Sequence, residues 1–222
     1  MATNDIEKVE IIPLYEIIKN QQAKQYEYVD LGLPSGLKWA KCNVGAEKET
    51  DYGHYFQWGE TTPYTDYTWA TYKHCNGSST TMTKYNTFPL FGEKPDDKTK
   101  LDSEDDAAKA HMGGDWRMPT QTEIQELLEN TENEWISDYN GTGVSGRKFT
   151  SKADTSKYIF FPAAGGCDQR SVYDVGSYGD VWSSSLNISN PYSAWYLVFN
   201  SVNCGMGRFG NRYIGRSVRG VF

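Results

Sequence analysis

Apolar and polar positions alternate with a period of two over residues 195–200, where Trp195, Leu197 and Phe199 are interleaved with Tyr196, Val198 and Asn200. Successive side chains of a strand point to opposite faces, so this run predicts a strand with one buried side. In 26–45 two strand-like runs flank Pro34-Ser35-Gly36, which is turn chemistry and predicts a hairpin. Tyr52, His54, Phe56 and Trp58 also fall at period two, but so short a run leaves strand and loop both open. YIFFPAA at 158–164 predicts a short buried strand, and residues 217–221 a closing one.

Two stretches carry helical signals. Ser103-x-x-Asp106 can cap a helix over DDAAKAHM that stops at Gly113-Gly114. Thr120-x-x-Glu123, just after Pro119, is a stronger capping box, and Ile124, Leu127 and Leu128 give the helix behind it one apolar face. Near the start, Ile6, Val9, Leu14, Ile17 and Ile18 approach helical spacing, but Pro13 interrupts them. Residues 1–25 are therefore expected to be an attachment or oligomerisation segment, a short strand or turn followed by a helix that docks on the domain or on another chain; the alternative is a frayed terminus. Residues 26–222 form the domain proper. Within it, 61–102 is a long irregular insert whose aromatics Tyr64, Tyr67, Trp69, Tyr72 and Tyr85 should pin it to the core, while the charged run at 93–100 is solvated. Gly165–Gly179 is expected to be a glycine-punctuated loop carrying Arg170, Tyr173 and Tyr178.

Composition sharpens this picture in one place. Residues 1–180 contain 36 Lys, Glu and Gln, whereas 181–222 contain none, nor any Asp or His. At the earlier rate about eight would be expected. The only charges of the tail are Arg208, Arg212, Arg216 and Arg219, a small basic island in a chain of net charge −7. Glycines at 205, 207, 210 and 215 break any regular period and predict a loop over 203–215 that exposes Arg208, Phe209, Tyr213 and Ile214; the alternative is a final hairpin whose aromatics are half buried.

The aromatic share of 14% and the 21 glycines favour a loop-rich fold with an aromatic core over a helical bundle. No apolar run approaches the ~20 residues of a membrane span, and MATNDIEKVE lacks the basic and apolar regions of a secretory signal. The acidic balance argues against nucleic acid as a partner. Cys42, Cys75, Cys167 and Cys204 form no CxxC pair, which argues against zinc; a Cys42–Cys75 bridge is open but has no support in the spacing. His54, His74 and His111 are isolated, and His54 is expected at the core or an edge. Asp102, Glu104, Asp105 and Asp106 do not match a calcium loop and are expected to serve the helix N-terminus.

VDLGLPSGLKWAKCNVGA (29–46), YFQWGET (55–61), TKYN (83–86), EDDAAKAHMGGDWRMPT (104–120), FFPAAGG (160–166), YGDVWSSS (178–185), AWYLVFNS (194–201) and RSVRGV (216–221) resemble, in order, the major paralogous domain family first named for Fibrobacter and abundant in Bacteroides-type gut bacteria. The resemblance covers about 26–222. It implies an α+β, C-type-lectin-like fold related to the formylglycine-generating-enzyme fold, with short strands, two helices and long loops. Some members resemble the variable proteins of diversity-generating retroelements, in which adenines of a C-terminal repeat are randomised through a reverse transcriptase. Randomising the adenines of AAC or AAT codons yields codons that encode neither Lys, Glu, Gln, Trp nor Met. Trp182, Trp195 and Met206 would then be scaffold positions. The aligned candidates for a ligand-binding face, Tyr192, Ser193, Tyr196, Val198, Val202, Asn203, Gly205, Gly207, Arg208, Phe209, Gly210, Tyr213 and Ile214, are all residues such codons can specify. Gly220 departs from the proline usual in the family, and the first 25 residues show no lipoprotein signal.

The expectation that follows is a non-enzymatic binding protein, without catalytic residues, metal or cofactor. Its partner would be a protein or glycan receptor on a cell surface, and its place a phage tail tip or a bacterial surface. Residues 1–25 would attach or oligomerise the domain, and a trimer would gain avidity. Three alternatives remain, the first of them a surface adhesin of fixed specificity. A formylglycine-generating-type enzyme needs a reactive cysteine pair, for which Cys167 and Cys204 are the late candidates. A calcium-dependent sugar lectin is weakened by the absence of the tripeptides EPN, QPD and WND.

Overall fold

The structure is a computed structural model, and it describes residues 26–92 and 94–222. The expectation for residues 1–25 lies outside the described residues. Among the described residues the strands are short and antiparallel, and two short α-helices accompany them, an α+β arrangement.

The predicted hairpin is β1 (Tyr28–Asp30) and β2 (Lys38–Asn43), with Val29 opposite Trp39. The turn is tied down by Ser35, whose backbone N–H and hydroxyl both donate to the Glu126 carboxylate at 2.8 and 2.6 Å. At the far end of the chain, β11 (Arg219–Val221) pairs with β2, so the first and last strands share one sheet. A second sheet joins β3 (Thr131–Ile136), β4 (Gly146–Ser151) and β5 (Tyr158–Pro162). The third contains β8 (Tyr178–Leu186), β9 (Ser193–Asn200) and β10 (Cys204–Asn211), with β9 in the middle. The expected loop at 165–179 instead carries a small hairpin, β6 (Gly166–Asp168) and β7 (Ser171–Tyr173).

Helix α1 (Ala107–Met112) begins one turn later than Ser103 predicts. Asp106 itself is the cap, accepting from the Lys109 backbone N–H at 3.0 Å, and residues 103–105 are a 3-10 turn before it. Helix α2 (Gln121–Asn130) has the predicted Thr120–Glu123 capping box and buries Ile124 and Leu127. These two side chains join Trp39, Phe149, Phe161, Leu197 and Phe199 in one core cluster. A second cluster gathers Phe56, Trp58, Tyr85, Met118 and Trp182. The period-two run at 52–58 forms no strand; Phe56 bridges Arg216 alone, and His54 is exposed. The run is held by two indoles: its own Trp58 donates from Nε1 to Ser183 O at 2.8 Å, and Trp182 of β8 donates from Nε1 to Phe56 O at 2.9 Å. Tyr67, Tyr72 and Tyr85 are buried and anchor the insert as predicted, whereas Tyr64 is exposed.

Of the acidic run, Asp106 serves the helix N-terminus as expected, whereas Asp102, Glu104 and Asp105 have a different role. Lys84 Nζ lies 2.7 Å from Asp102, 3.1 Å from Glu104 and 2.6 Å from Asp105, so an ammonium occupies the position a metal would take among these three carboxylates. Burial alone would raise the Asp105 carboxyl, but hydrogen bonds from Lys73, Lys84 and Tyr85 outweigh it and hold it well below the usual range.

Beside Asp105, His74 is buried and donates from Nε2 to Gly59 O at 2.8 Å. Burial pulls its pKa down to about 4, with the Gly59 bond and Asp105 opposing. Below its ordinary value the unfolded chain takes up a proton that the native chain refuses, so this stability is complete above about pH 6.5 and is lost as pH falls towards 4. The loss should reach about 3 kcal/mol. Urea unfolding at pH 7 and pH 4.5 checks it. His74→Gln should flatten the slope, and the difference between the two proteins removes the contributions of Glu60, Asp106 and Asp180, whose carboxyls burial pushes upward.

Candidate functional site

The third sheet organises the tail. On its inner side Leu197 and Phe199 enter the first core cluster, as the alternation predicts. On its other side Tyr196 stands opposite Trp182 on β8 and Gly207 on β10, where it packs against the second core cluster, and Val198 stands opposite Asp180 and Gly205. The expected glycine loop is therefore a strand over most of its length. Its glycines make room for rings: a Cβ at Gly207 would lie 2.3 Å from the Tyr196 ring, and one at Gly210 would lie 2.8 Å from Trp182. Glycine inside a strand often marks such a close approach. Between Gly207 and Gly210 the register shifts, and this bulge turns Arg208 and Phe209 outward.

The candidate residues divide by burial. Val202, Asn203, Arg208 and Phe209 are exposed, Val202 by 80% and Phe209 by 60%. Tyr192, Tyr196, Val198, Gly205, Gly207 and Tyr213 are half-buried at the surface. Ser193, Gly210 and Ile214 are buried and cannot contact a ligand in this structure. Ser193 is enclosed because a turn closes over it, its N–H donating to Asn190 O at 2.8 Å and its carbonyl accepting from Asn187 N at 3.1 Å. Ile214 is enclosed because the chain turns inward after β10, pairing Gly215 with Cys167 and Arg216 with Phe56. Of the three residues expected as scaffold, Trp182 is in the core, Met206 packs partly against it and Trp195 is half-buried.

The basic island is also mostly internal. Arg212 and Arg219 are fully buried, Arg216 nearly so, and only Arg208 is exposed. Arg219 donates to Asn43, Ala40 O, Lys41 O and Phe160 O, joining β2, β5 and β11. Arg216 lies 4.3 Å from the Trp182 ring centre and 4.2 Å from that of Tyr196, and its Nε donates to Asp180 Oδ2 at 3.0 Å. Burial raises the Asp180 carboxyl, and Arg216 offsets part of that. Such stacking and pairing suit a planar guanidinium, which carries its donors in a fixed fork.

Neighbours from the insert complete the surface. Trp69 packs against Tyr213, ring centres 4.8 Å apart, and Phe91 against Tyr192 at 5.3 Å. The aromatic density of 61–102 is the signal for them in the sequence, although it points only to anchoring. A cleft of about 530 Å³ lies elsewhere, beside β2, lined by Lys41, Cys42, Glu49 and Tyr139 among others, and contains none of the candidates. Its polar groups satisfy one another: Tyr139 donates to Glu49 at 2.6 Å, and Lys41 lies 3.3 Å from the same carboxylate.

No protein family, curated protein or solved structure matched this chain. The chemistry of the site therefore rests on its own residues. All four cysteines are free, including Cys42 and Cys75. Burial pushes the Cys204 thiol up to about 11, with Arg147 opposing weakly, and burial with a contribution from Asp168 raises that of Cys167. Thiolates do the nucleophilic work of cysteine, so neither thiol is activated. Alkylation of Cys204 by iodoacetamide at pH 7.5 should be about a hundredfold slower in the native protein than in urea, as followed by mass spectrometry. Among the described residues no helix is long and apolar enough to cross a membrane.

Proposed function

We propose that this protein is a non-enzymatic ligand-binding protein of the C-type-lectin-like class, whose contact surface is the exposed part of the tail and varies between sister copies through a diversity-generating retroelement. The observation that carries the reading is the division of the tail into two sets. One set, Trp182, Ser193, Gly210, Arg212, Arg216 and Arg219, is internal and fixes the sheet to the rest of the domain. The other set, Val198, Val202, Asn203, Gly205, Arg208 and Phe209, lies at the surface of β9, β10 and their turn. That surface can change without touching the core, as a recognition site built on a rigid support requires. Tyr192, Tyr196 and Tyr213 add rigid aromatic contact area, the kind paratopes favour.

The short strands, the two helices, the long insert and the pairing of the first strands with the last support the lectin-like assignment. Unactivated Cys167 and Cys204 thiols count against the formylglycine-generating alternative. The receptor-binding role, whether on a phage tail tip or a bacterial surface, belongs to the same proposal.

A display library tests it. Codons 198, 202, 203, 208 and 209 are randomised with pyrimidine-ending triplets, and a second library does the same at 193, 210 and 214. Most members of the first should stay folded by protease resistance, and few of the second. Equal tolerance in the two libraries, or collapse of the first, would defeat the division on which the proposal rests.

A further inference from the structure

We infer that the contact surface extends beyond the tail onto the insert, through Phe88 and Leu90, and that its partner is a protein presenting apolar side chains beside a carboxylate, not a glycan. The inference rests on the tail-face reading above and adds to it a fixed apolar half and a ligand class.

Phe88 is 54% exposed and Leu90 67%, on the 3-10 turn Pro89–Phe91. Ile188 and Phe209, each 60% exposed, belong to the tail. A continuous chain of contacts joins the two pairs. The Phe88 and Phe91 rings are 6.4 Å apart, and Phe91 packs on Tyr192. Thr87 Oγ1 donates to Ile188 O at 2.8 Å, and Asn187 Nδ2 donates to Arg208 O at 2.6 Å, next to Phe209. Clustered exposed apolar side chains mark interaction sites more often than scattered ones do.

The turn that displays Phe88 and Leu90 is firmly held. Asp96 accepts from the backbone N–H groups of Tyr85 and Asn86 at 2.8 and 2.9 Å, and Asn86 Oδ1 accepts from Phe88 N at 3.1 Å. Gly92 lies so close to Met82 that a Cβ would meet its carbonyl oxygen at 2.2 Å. The backbone is thus pinned while two large apolar side chains are left in water. This arrangement suits a partner that meets a preorganised surface.

Chemistry narrows the partner. Leu90 and Ile188 offer no hydrogen-bonding group, and sugar hydroxyls buried against them would lose their water without replacement. Arg208 stacks on Phe209 at 4.8 Å and has no hydrogen-bond or ion-pair partner for its side chain among the described residues, so the complementary group at that edge is a carboxylate.

The test uses the full chain, a phage-displayed library of random peptides and a glycan array. Enriched peptides should combine aromatic or aliphatic residues with Asp or Glu, and the array should stay blank. Phe88→Ser, Leu90→Ser, Phe209→Ser and Arg208→Glu should each weaken a selected peptide by about tenfold or more. These side chains are exposed, so thermal melts of the variants should match wild type. Peptide binding that ignores Phe88→Ser and Leu90→Ser but falls with the tail variants overturns this inference and spares the tail face. Indifference to all four variants overturns both. Glycan binding lost in Leu90→Ser, or a wild-type dimer in sedimentation that Leu90→Ser dissolves, overturns the partner assigned here.

Discussion

Replacing Arg212 with methionine is expected to lower stability by about 4 kcal/mol. The side chain is fully buried yet has no carboxylate within ion-pair distance among the described residues. Its Nε donates to Tyr72 Oη at 2.7 Å, its Nη1 to Pro191 O at 2.7 Å and to Tyr85 O at 3.1 Å, and its Nη2 to Lys84 O at 3.0 Å. The rings of Trp58, Tyr72 and Tyr85 surround its charge at 4.9, 5.1 and 5.8 Å. Methionine fills similar volume but leaves three buried carbonyls without a donor, each costing about 1–3 kcal/mol. Since those carbonyls belong both to the insert and to the tail, hydrogen exchange at 72–92 and 187–192 should rise together. Lysine should recover only part of the loss, because an ammonium cannot reproduce the fork. Urea titration of the three proteins measures all of this, and a loss under 1 kcal/mol for methionine would show that Arg212 is not a brace.

Gly165→Ala should cost about 3 kcal/mol, for a reason located in the backbone. Gly165 sits at φ +64°, where a side chain is strained, and an added Cβ would meet Tyr173 O at 1.9 Å and Val175 N at 2.9 Å. Neither atom is the end of a flexible side chain, so the β6–β7 hairpin would have to move. The same residue donates to Tyr178 O at 2.8 Å, where β8 begins. Displacing it should loosen the start of the strand that carries Asp180 and Trp182. A thermal melt gives the loss directly, and amide exchange at 166–180 gives its location.

Features of the fold with a local cause were visible in the sequence. The turn chemistry of Pro34-Ser35-Gly36, the Thr120–Glu123 capping box and the alternation over 195–200 each specify an element through neighbours close along the chain, and each is present. Features with a distant cause were hidden. Gly207 and Gly210 suggest a loop until the Tyr196 and Trp182 rings that need the space are known. Arg212, Arg216 and Arg219 look like a basic surface because nothing nearby in sequence shows the carbonyls and rings that enclose them. Asp105 points to a helix N-terminus, and its true partner Lys84 is twenty-one positions earlier.

At the candidate site the outcome follows the same line. Val202, Asn203, Arg208 and Phe209 are exposed as expected, because a turn and a bulge turn them away from the core. Ser193, Gly210 and Ile214 satisfy the same codon rule, but composition cannot tell which side of a sheet a residue faces. Phe88, Leu90 and Phe91 carry no tail signature at all, and only the folded contacts place them beside Tyr192 and Ile188.

On the function proposed above, variation between sister copies is confined to the outer set of the tail. Deep sequencing of this locus and its neighbourhood across a grown population tests it most directly. A near-repeat of the 181–222 coding segment is expected beside a reverse transcriptase gene. Substitutions should arise at adenines of that repeat and concentrate at codons for exposed and half-buried positions such as 198, 202, 208 and 209, with Arg212, Arg216 and Arg219 constant. An invariant tail without a repeat, or substitutions falling as often on the buried arginines as on the outer positions, would contradict it.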